Sequence, residues 1–458
     1  MNKMKKNEEY IVEIIDQGFG GEGIAKIDRQ VVFVPGAIQG EKVKIKILKI
    51  TSKLAYGKIL KILEASEYRI KIDCETYEKC GGCVLRHMDY GYTMNLKKKS
   101  VENTLKKALG RELKVDEVFP MEEPYFYRNK LQYPVGQNEN GELVMGVFAQ
   151  RSHRIIPTKK CMIQNEHAQE IAGSIFDFAK KNGISGYDEK KLTGILRHVV
   201  IRVGVKTNEV MVTLVVNERK IPNEKKMIDF LTNKYPQIKT IIKNFNLRNT
   251  NVILGQENEV IYGDGFIYDI LLGKKFKISN MSFYQVNPAQ TEKLYSKAIE
   301  YANLTGKETI FDLYCGIGTI GICASDNVGK LFGIETIPEA IADAKQNAKI
   351  NEIENAEFFV GDVEKTLPEF IKQRNISPDV VFVDPPRKGC DRTALDTLLE
   401  IEPQKIVYVS CNPATLGRDL KVLEDKYEVK KVAICDMFPG TGHVEVIIVL
   451  KINSGLRN

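Results

Sequence analysis

The sequence has no long apolar run, and this absence limits where the protein can work. None of its windows approaches the roughly 18 consecutive apolar residues that a membrane span needs. The first nine residues are rich in lysine, run into Glu8 and Glu9 and contain no apolar segment, so we expect no signal peptide. Internal repeats and low-complexity tracts are also missing. We therefore expect a cytoplasmic protein with no membrane partner, and we expect it to be a monomer.

A disulfide framework is missing as well. The nine cysteines are an odd number and they cluster, which in a cytosolic chain favours metal binding or catalysis. Cys74, Cys80 and Cys83 stand within ten positions, and the glycines between the last two allow a tight metal-ligand loop. Cys161 is the candidate fourth ligand, and His87 is its rival. Four thiolates suit zinc or an iron-sulfur cluster, and the spacing does not choose between them.

The chain has the length of several domains and a basic start. Its 458 residues suggest about two to four domains, and 43% hydrophobic and 28% charged residues are typical of a globular protein. Residues 1–61 hold 12 Lys and Arg against 7 Asp and Glu, which is +5 of the net +7. This excess suggests an anionic partner, with nucleic acid ahead of membrane because no amphipathic anchor helix is evident. A solvated lysine-rich face is the alternative.

Residues 8–62 predict short strands separated by turn residues. Tyr10–Ile15 is followed by the glycine-rich turn Gly18–Gly23, and then by Val31–Gly36. Glu41–Ile47 alternates charged with β-branched residues, which is typical of a half-buried strand with lysines outside. Such strands favour a small β-barrel, a fold that often binds RNA. The pattern resembles the TRAM domain, an RNA-binding barrel attached to RNA-modifying enzymes.

The rest of the chain predicts two further domains. Residues 92–109 have helical spacing, with Lys97, Lys98 and Lys99 assigned to the outer side, and residues 125–275 predict a β-rich region with helices between the strands. The carboxyl-terminal third alternates strands with helices, which predicts a doubly wound, mostly parallel sheet. The fold class is therefore α/β.

Three domains follow from these patterns. We predict a TRAM-like or OB-like barrel over 1–66 and a central α+β domain with the cysteine cluster over 67–275. A Rossmann-like domain is predicted over 276–458, with helix 92–109 expected to pack on it.

Acidic residues around a glycine turn indicate the cofactor. Gly316–Gly321 matches the G-x-G-x-x-G dinucleotide fingerprint, with Glu335 about 20 residues on, so a nicotinamide-dependent enzyme is a competitor. Asp312 instead favours S-adenosylmethionine, because an acid there can meet its cationic methionine end and would repel a pyrophosphate. Asp362 suits the adenine amine, while Glu335 suits ribose hydroxyls under either interpretation. Turn capping is the alternative for both aspartates.

A cysteine stands at the end of a neighbouring strand. Two prolines follow Asp384 and hold it at the sheet's rim, and the next strand, Ile406–Val409, delivers Cys411 to an Asn-Pro turn. Ligands bind at that edge of open α/β sheets, so the position suits a nucleophile, with a buried core cysteine as the alternative. Glu445, at the start of the last strand, is the candidate base, and His443 is the alternative base.

These residue types fit methylation at C5 of uracil. A thiolate that adds to C6 makes C5 nucleophilic, and a base then removes the C5 proton after methyl transfer. Cys411 would be the nucleophile, so its pKa of about 8.5 must be lowered or the base must act during attack. The remaining cysteines lack acidic company and are interpreted as packing residues: Cys315, Cys323, Cys390 and Cys435.

Five segments resemble the RNA uracil-5-methyltransferase family, in the order in which the family carries them. They are Phe283–Asn287, Asp312–Gly318, Asp384–Arg387, Ser410–Pro413 and His443–Glu445. The resemblance covers essentially the whole chain. It implies contacts to the cofactor or the target base from the residues Gln285, Tyr314, Glu335 and Asp384. Thr319, where some relatives have asparagine, and Asp362 complete the predicted cofactor residues.

By the same resemblance, Cys74, Cys80, Cys83 and Cys161 hold a [4Fe-4S] cluster. Cluster and barrel together are similar to the ribosomal RNA enzymes more than to the tRNA enzymes, which lack both. The predicted function is therefore methyl transfer from S-adenosylmethionine to a uridine of 23S ribosomal RNA through a cysteine-C6 adduct, with a tRNA uridine as the alternative. An RNA-binding or assembly factor that has lost activity and a nicotinamide oxidoreductase are the competitors from other classes.

Overall fold

The computed structural model describes residues 4–18 and 20–453, and these residues form four sheets. Phe19 of the predicted glycine-rich turn lies outside the described residues. So do residues 1–3, at the start of the predicted barrel, and residues 454–458, at the end of the predicted Rossmann-like domain. No helix within the described ranges combines the length and apolarity needed to cross a membrane.

The first sheet is a small barrel. Its order is β1-β5-β6-β4-β3-β2, and because β1 and β2 are consecutive in the chain, they join the two ends of the sheet. Burial alternates along the lysine-rich strand, so that Val43, Ile45 and Ile47 fill the interior while the intervening lysines point outwards. The strands are β1 (Glu9–Glu13), β2 (Asp16–Gln17), β3 (Glu22–Ile27), β4 (Gln30–Pro35), β5 (Lys42–Ile50) and β6 (Leu54–Glu64).

The central region has a seven-stranded sheet of order β10-β9-β8-β11-β12-β13-β14, with α2 and α3 packed together and covering it. A two-stranded hairpin, β15-β16, follows. The elements are α1 (Tyr90–Leu109), β7 (Glu117–Phe119), β8 (Lys130–Gln137), β9 (Leu143–Phe148), β10 (Ile155–Pro157), α2 (Glu166–Lys181), β11 (Leu196–Val203), β12 (Val210–Val216), α3 (Glu224–Lys234), β13 (Ile238–Phe245), β14 (Glu257–Gly263), β15 (Phe266–Leu271) and β16 (Lys274–Ser279).

The last domain is built on an eight-stranded sheet of order β19-β18-β17-β20-β21-β23-β22-β7. The first five strands in that order are parallel and β23 is antiparallel to its neighbours, which confirms the predicted doubly wound α/β sheet. The elements are α4 (Pro288–Ala302), β17 (Thr309–Leu313), α5 (Thr319–Ala324), a 3-10 turn (Ser325–Asn327), β18 (Lys330–Glu335), α6 (Pro338–Ile350), β19 (Ala356–Val360), α7 (Val363–Arg374), β20 (Val380–Val383), α8 (Arg392–Ile401), β21 (Lys405–Ser410), α9 (Pro413–Leu423), β22 (Tyr427–Cys435) and β23 (Glu445–Ile452).

Helix α1 packs on this last domain, against α9, through Val101, Leu105 and Leu109. The prediction that Lys97 lies on the outer side of this helix is wrong, because Lys97 is buried. Lys97 stands three residues after Met94 and four before Val101, and residues at these spacings share one face of a helix. The helical period therefore places this lysine among the inward-facing residues despite its charge.

The order of the strands fixes where a ligand can bind. From β17 the chain adds β18 and β19 on one side, and then β20 and β21 on the other. The crevice beyond the carboxyl ends of β17 and β20 is thus the switch point at which open α/β sheets bind their ligands.

Candidate active site

A cavity of about 590 Å³ lies at this switch point. Its walls come from the carboxyl ends of β17 to β21, the start of β23 and the segment that leads into α4. All the predicted catalytic and cofactor residues line it: Gln285, Tyr314, Thr319, Glu335, Asp362, Asp384, Cys411 and Glu445. The structure thus brings together residues from seven separate segments of the sequence, while their individual roles stay predictions.

The glycine turn after β17 follows an unusual backbone path. Tyr314 has a φ of +62° and Gly318 a φ of +81°, both in the left-handed region. A Cβ on Gly318 would also lie 3.1 Å from the ring of Phe358, so a side chain would be crowded there. Tyr314 is fixed in this strained conformation partly by its hydroxyl, which donates to Glu364 Oε1 at 3.2 Å.

Asp312 presents one satisfied and one free oxygen. Its Oδ2 accepts a hydrogen bond from the Gly321 N–H at 2.9 Å, whereas its buried Oδ1 has no partner within the described chain. Burial and the nearby carboxyls of Asp384 and Glu335 raise the pKa of Asp312 to about 7, against the opposing effect of the Gly321 hydrogen bond. Turn capping therefore accounts for Oδ2 alone, and the free Oδ1 fits a cationic ligand.

Asp384 follows β20 and faces the same cavity. Burial raises its pKa to about 7 as well. Among the described residues, neither Asp312 nor Asp384 forms an ion pair with a cationic side chain, so both carboxyls are held partly neutral. S-adenosylmethionine, with its sulfonium and ammonium groups, fits this arrangement.

Glu335 and Asp362 have different local contacts. Glu335 Oε2 accepts from the Gly316 N–H at 3.2 Å, so it also braces the glycine turn. Asp362 is exposed and accepts from Thr336 Oγ1 at 2.9 Å, and its side chain makes no capping bond to α7. The capping alternative therefore has no support at Asp362.

The segment before α4 carries an exposed ring into the cavity. Phe283 lines the cavity and is 71% exposed. Asn129 of the central region fixes this segment, since its side-chain amide donates to Gln285 O at 3.1 Å and its N–H donates to Val286 O at 2.8 Å. Gln285 is thereby held against the cavity by the neighbouring domain.

Cys411 lies half-buried at the end of β21. The next residue, Asn412, accepts from Ala414 N–H and so caps α9, and its amide donates to Arg387 O at 3.1 Å. Burial, Glu445 and Asp384 raise the pKa of the Cys411 thiol to about 11, and the Arg387 guanidinium opposes them. The free protein therefore holds this residue as a thiol at neutral pH.

Glu445 is buried at the start of β23, with 4% of its surface exposed. Burial and Asp384 hold its pKa well above the usual range, and Arg387 opposes them. His443, the alternative base, is exposed and does not line this cavity. Glu445 is thus the better placed of the two candidate bases.

The cysteine loop borders a second cavity, of about 920 Å³. Four free thiols line it, those of Cys74, Cys80, Cys83 and Cys161. His87 does not line it. Within the described residues, no group of three or more His, Cys, Asp or Glu side chains is close enough to hold a metal ion.

Arg387 and Phe438 line both cavities, and the sequence analysis assigned a role to neither. Arg387 directly follows the two prolines after Asp384, so its place in that motif was an available signal. Phe438 lies in the connection between β22 and β23, where nothing in the local sequence marks it.

Comparison with known proteins gives one family for most of the chain. The family model described as tRNA (uracil-5-)-methyltransferase matches residues 89–453, and the TRAM domain model matches residues 3–60. An uncharacterized RNA methyltransferase of Clostridium acetobutylicum is 48% identical over 452 residues, 98% of each chain. Another, of Halalkalibacterium halodurans, is 44% identical over 454 residues, again 98% of each chain.

One solved structure is similar over nearly the whole length. It is the Pyrococcus abyssi tRNA (uracil-54, C5)-methyltransferase in complex with S-adenosyl-L-homocysteine. The similarity covers 97% of this chain and 100% of that one, with a TM-score of 0.78 and 28% identity.

Proposed function

Because the chain belongs to the tRNA (uracil-5-)-methyltransferase family and is an S-adenosylmethionine-dependent RNA uracil-5 methyltransferase, we propose that it methylates 23S ribosomal RNA through a covalent adduct of Cys411. The observation that carries the covalent route is the shared cavity, where Cys411 and Glu445 stand beside Asp384 and Asp312. The methyltransferase and TRAM matches together make RNA the substrate.

S-adenosylmethionine supplies an electrophilic methyl group. Asp312 would face its cationic methionine end through the free Oδ1, and Asp384 would add a second carboxylate on the same side. Glu335 would hold ribose hydroxyls and Asp362 the adenine amine. The unpartnered buried oxygen of Asp312 supports this assignment, because a buried carboxylate without a partner is costly.

Cys411 and Glu445 then act in sequence on uracil. The Cys411 thiol loses its proton to solvent as its sulfur forms a bond to C6, and the electron pair of the C5–C6 double bond moves to C5. C5 then takes up the methyl group, and the cofactor's sulfur would keep the electron pair of the broken S–CH3 bond and leave as a neutral thioether. Glu445, in its ionised form, removes the remaining C5 proton; its raised pKa makes that carboxylate a stronger base. The C5–C6 double bond then re-forms and the C6–S bond breaks. The thiolate leaves with the electron pair of that bond, so atoms and charges balance.

The nucleophile is tested by trapping. RNA that contains 5-fluorouridine has no C5 proton to lose, so the wild type should accumulate a denaturant-resistant protein-RNA adduct. Cys411→Ala should form none. The matched control is Cys323→Ala, since Cys323 is buried and does not line the cavity. An undiminished adduct in Cys411→Ala would remove the nucleophile from this residue.

We further propose that the four cysteines around the second cavity hold a [4Fe-4S] cluster. The four thiols that line one cavity support it, because four thiolates are the donor set of such a cluster. The reaction transfers no electrons, so the cluster would be structural. Anaerobically purified protein should show iron-sulfur absorbance, and Cys74→Ser should lose it; zinc without such absorbance would overturn the proposal.

The target RNA is the finer part of the proposal. The barrel and the four cysteines together resemble the ribosomal enzymes, which supports 23S ribosomal RNA. The barrel alone does not distinguish ribosomal RNA enzymes from tRNA enzymes, because the similarity to the tRNA enzyme of Pyrococcus abyssi covers 97% of this chain. That same similarity favours a tRNA uridine as the second candidate. Mapping 5-methyluridine in a strain that lacks the protein separates them: a loss from tRNA alone would reject the ribosomal target.

A further inference from the structure

The connection between β22 and β23 is held by its own carbonyl groups. Residues 436–444 carry Phe438, which lines the active-site cavity, and lead directly into Glu445. The carbonyls of five successive residues, 436–440, accept hydrogen bonds from outside this connection. The donors, in order, are Gln290 Nε2 at 3.1 Å, Asn287 Nδ2 at 3.0 Å, Lys97 Nζ at 3.3 Å, the Tyr127 hydroxyl at 3.1 Å, and the N–H groups of Val84 and Leu85 at 2.9 and 3.0 Å. We call these five carbonyls and their donors the carbonyl clamp.

The donors come from four separate segments of the sequence. Asn287 and Gln290 begin α4, Lys97 lies on α1, and Tyr127 precedes β8. Val84 and Leu85 directly follow the cysteine loop, and a Cβ on Gly440 would lie 3.6 Å from Cys83 Sγ. The clamp therefore joins the cysteine loop, α1 and the central region to one short active-site connection.

Lys97 contributes more than a single hydrogen bond to this clamp. Its ammonium also pairs with Asp436 Oδ1 at 2.6 Å, although the two residues are 339 positions apart in the chain. Both side chains are almost fully buried, and Tyr90 donates to the other oxygen of Asp436 at 2.9 Å. Burying two charges costs much of what their attraction returns, so such a pair is weak evidence of a role in stability.

Geometry offers a better explanation of this pair. We infer that the carbonyl clamp positions Phe438 and the carboxylate of Glu445, and that Lys97 is a positioning residue for methyl transfer. A misplacement of about 1 Å at a reacting group costs roughly a hundredfold in rate. The inference rests on the proposed function of Cys411 and Glu445. The side chain of Lys97 does not line the cavity, so cofactor binding should not depend on it.

The test compares two buried lysines. Lys97→Met should lower kcat by about a hundredfold and let the covalent adduct accumulate on ordinary RNA, because a misplaced Glu445 removes the C5 proton slowly, with the KM for S-adenosylmethionine unchanged. The matched control is Lys243→Met on β13, where the lysine is equally buried and pairs with Glu224 and Glu259 away from the cavity. Loss of Lys243 should lower the melting temperature and leave kcat unchanged.

A second variant distinguishes a loss of positioning from misfolding. Lys97→Met leaves Asp436 as a lone buried charge, whereas Lys97→Met with Asp436→Asn removes both charges and should fold. The double variant should still be slow, because Phe438 O has lost its lysine donor. A folded double variant with wild-type kcat would overturn the positioning role, and so would a loss of kcat in Lys243→Met equal to that of Lys97→Met. A wild type that forms no adduct would instead refute the proposed function.

Discussion

Asp312 offers a quantitative test of the cofactor assignment through the pH dependence of binding. Burial, Asp384 and Glu335 raise the pKa of Asp312 to about 7 in the unliganded protein. Below that pH the carboxyl is mostly protonated and attracts a cation only weakly. A bound cation lowers the pKa, so binding releases a proton and becomes tighter as the pH rises through 7.

The size of the effect follows from that pKa. A carboxyl with a pKa of 7 is ionised in about one molecule in eleven at pH 6 and in about ten of eleven at pH 8. The affinity for S-adenosylmethionine should therefore rise about tenfold over this range, which is about 1.4 kcal/mol. Asp384, whose pKa is also about 7, can add a similar factor.

The raised pKa of Asp312 also affects stability. As the pH rises, cofactor binding becomes tighter, whereas the unliganded protein becomes less stable. A carboxyl whose pKa is higher in the folded than in the unfolded protein contributes stability that is fully present below the unfolded value of about 3.9. That contribution is lost as the pH rises through the folded value of about 7. The unliganded protein should thus lose stability over this window and regain it when the cofactor is added.

Calorimetry at pH 6, 7 and 8, in buffers of different ionisation enthalpy, measures both the affinity and the protons released. Asp312→Asn should bind more weakly at pH 8 and release fewer protons, with a flatter pH profile. Asp326→Asn is the matched control, because Asp326 is exposed and pairs with Lys274 outside the cavity. Wild-type affinity that is constant from pH 6 to 8, with no proton release, would refute the assignment of these carboxyls to the cationic end.

Three further outcomes are expected. Glu445→Gln should stall as a covalent adduct on ordinary RNA, seen on denaturing gels, whereas normal turnover would assign the base elsewhere. Phe283→Ala should raise the KM for RNA about fivefold or more with cofactor affinity unchanged, since stacking on a base is worth about 1–3 kcal/mol; the exposed Phe230, on α3, gives the control. Asp419→Asn should lower the free energy of unfolding by about 1–3 kcal/mol in denaturant titrations, because buried Asp419 accepts from the Tyr408 hydroxyl at 2.7 Å.

The ends of the strands could be predicted because buried parallel strands have a recognisable sequence pattern. Strands such as β17, β20 and β21 are short apolar runs, and a glycine or proline follows each one within three residues. The carboxyl ends of parallel neighbours share one edge, so the side chains there can be expected to meet. The sequence therefore predicts Asp312, Asp384 and Cys411 at one edge of the sheet, and all three line the same cavity.

The rest depends on contacts between distant segments, which leave little local pattern. Strand β7 has only three residues, yet it joins the edge of the last sheet beside β22. Strand β22 carries charged residues along its first half and lacks the continuous apolar run of its neighbours. Lys97 and Asp436 form an ion pair although they are 339 positions apart in the chain. The helical period of α1 is the sequence feature that indicates an inward-facing Lys97.

The activation of Cys411 connects the cofactor end of the cavity with the nucleophile. Burial, Glu445 and Asp384 raise the pKa of the Cys411 thiol to about 11, and the Arg387 guanidinium and a backbone hydrogen bond oppose them. Asp384 also faces the part of the cavity proposed for the cofactor's positive charge. A cation beside Asp384 would offset its negative charge, and each unit by which the Cys411 pKa falls makes the thiolate about ten times more abundant.

Alkylation of Cys411 therefore should be faster with S-adenosylmethionine bound than with S-adenosylhomocysteine bound. The two molecules have nearly the same shape and restrict access to the thiol alike, but only the first carries the sulfonium charge. The rate of iodoacetamide modification at pH 8, followed by mass spectrometry of the peptide that contains Cys411, measures the difference. Asp384→Asn should raise the rate with the neutral compound and narrow the gap. Equal rates with both compounds in the wild type would show that the cofactor's charge does not reach the nucleophile, and activation would then be left to Arg387 and the bound RNA.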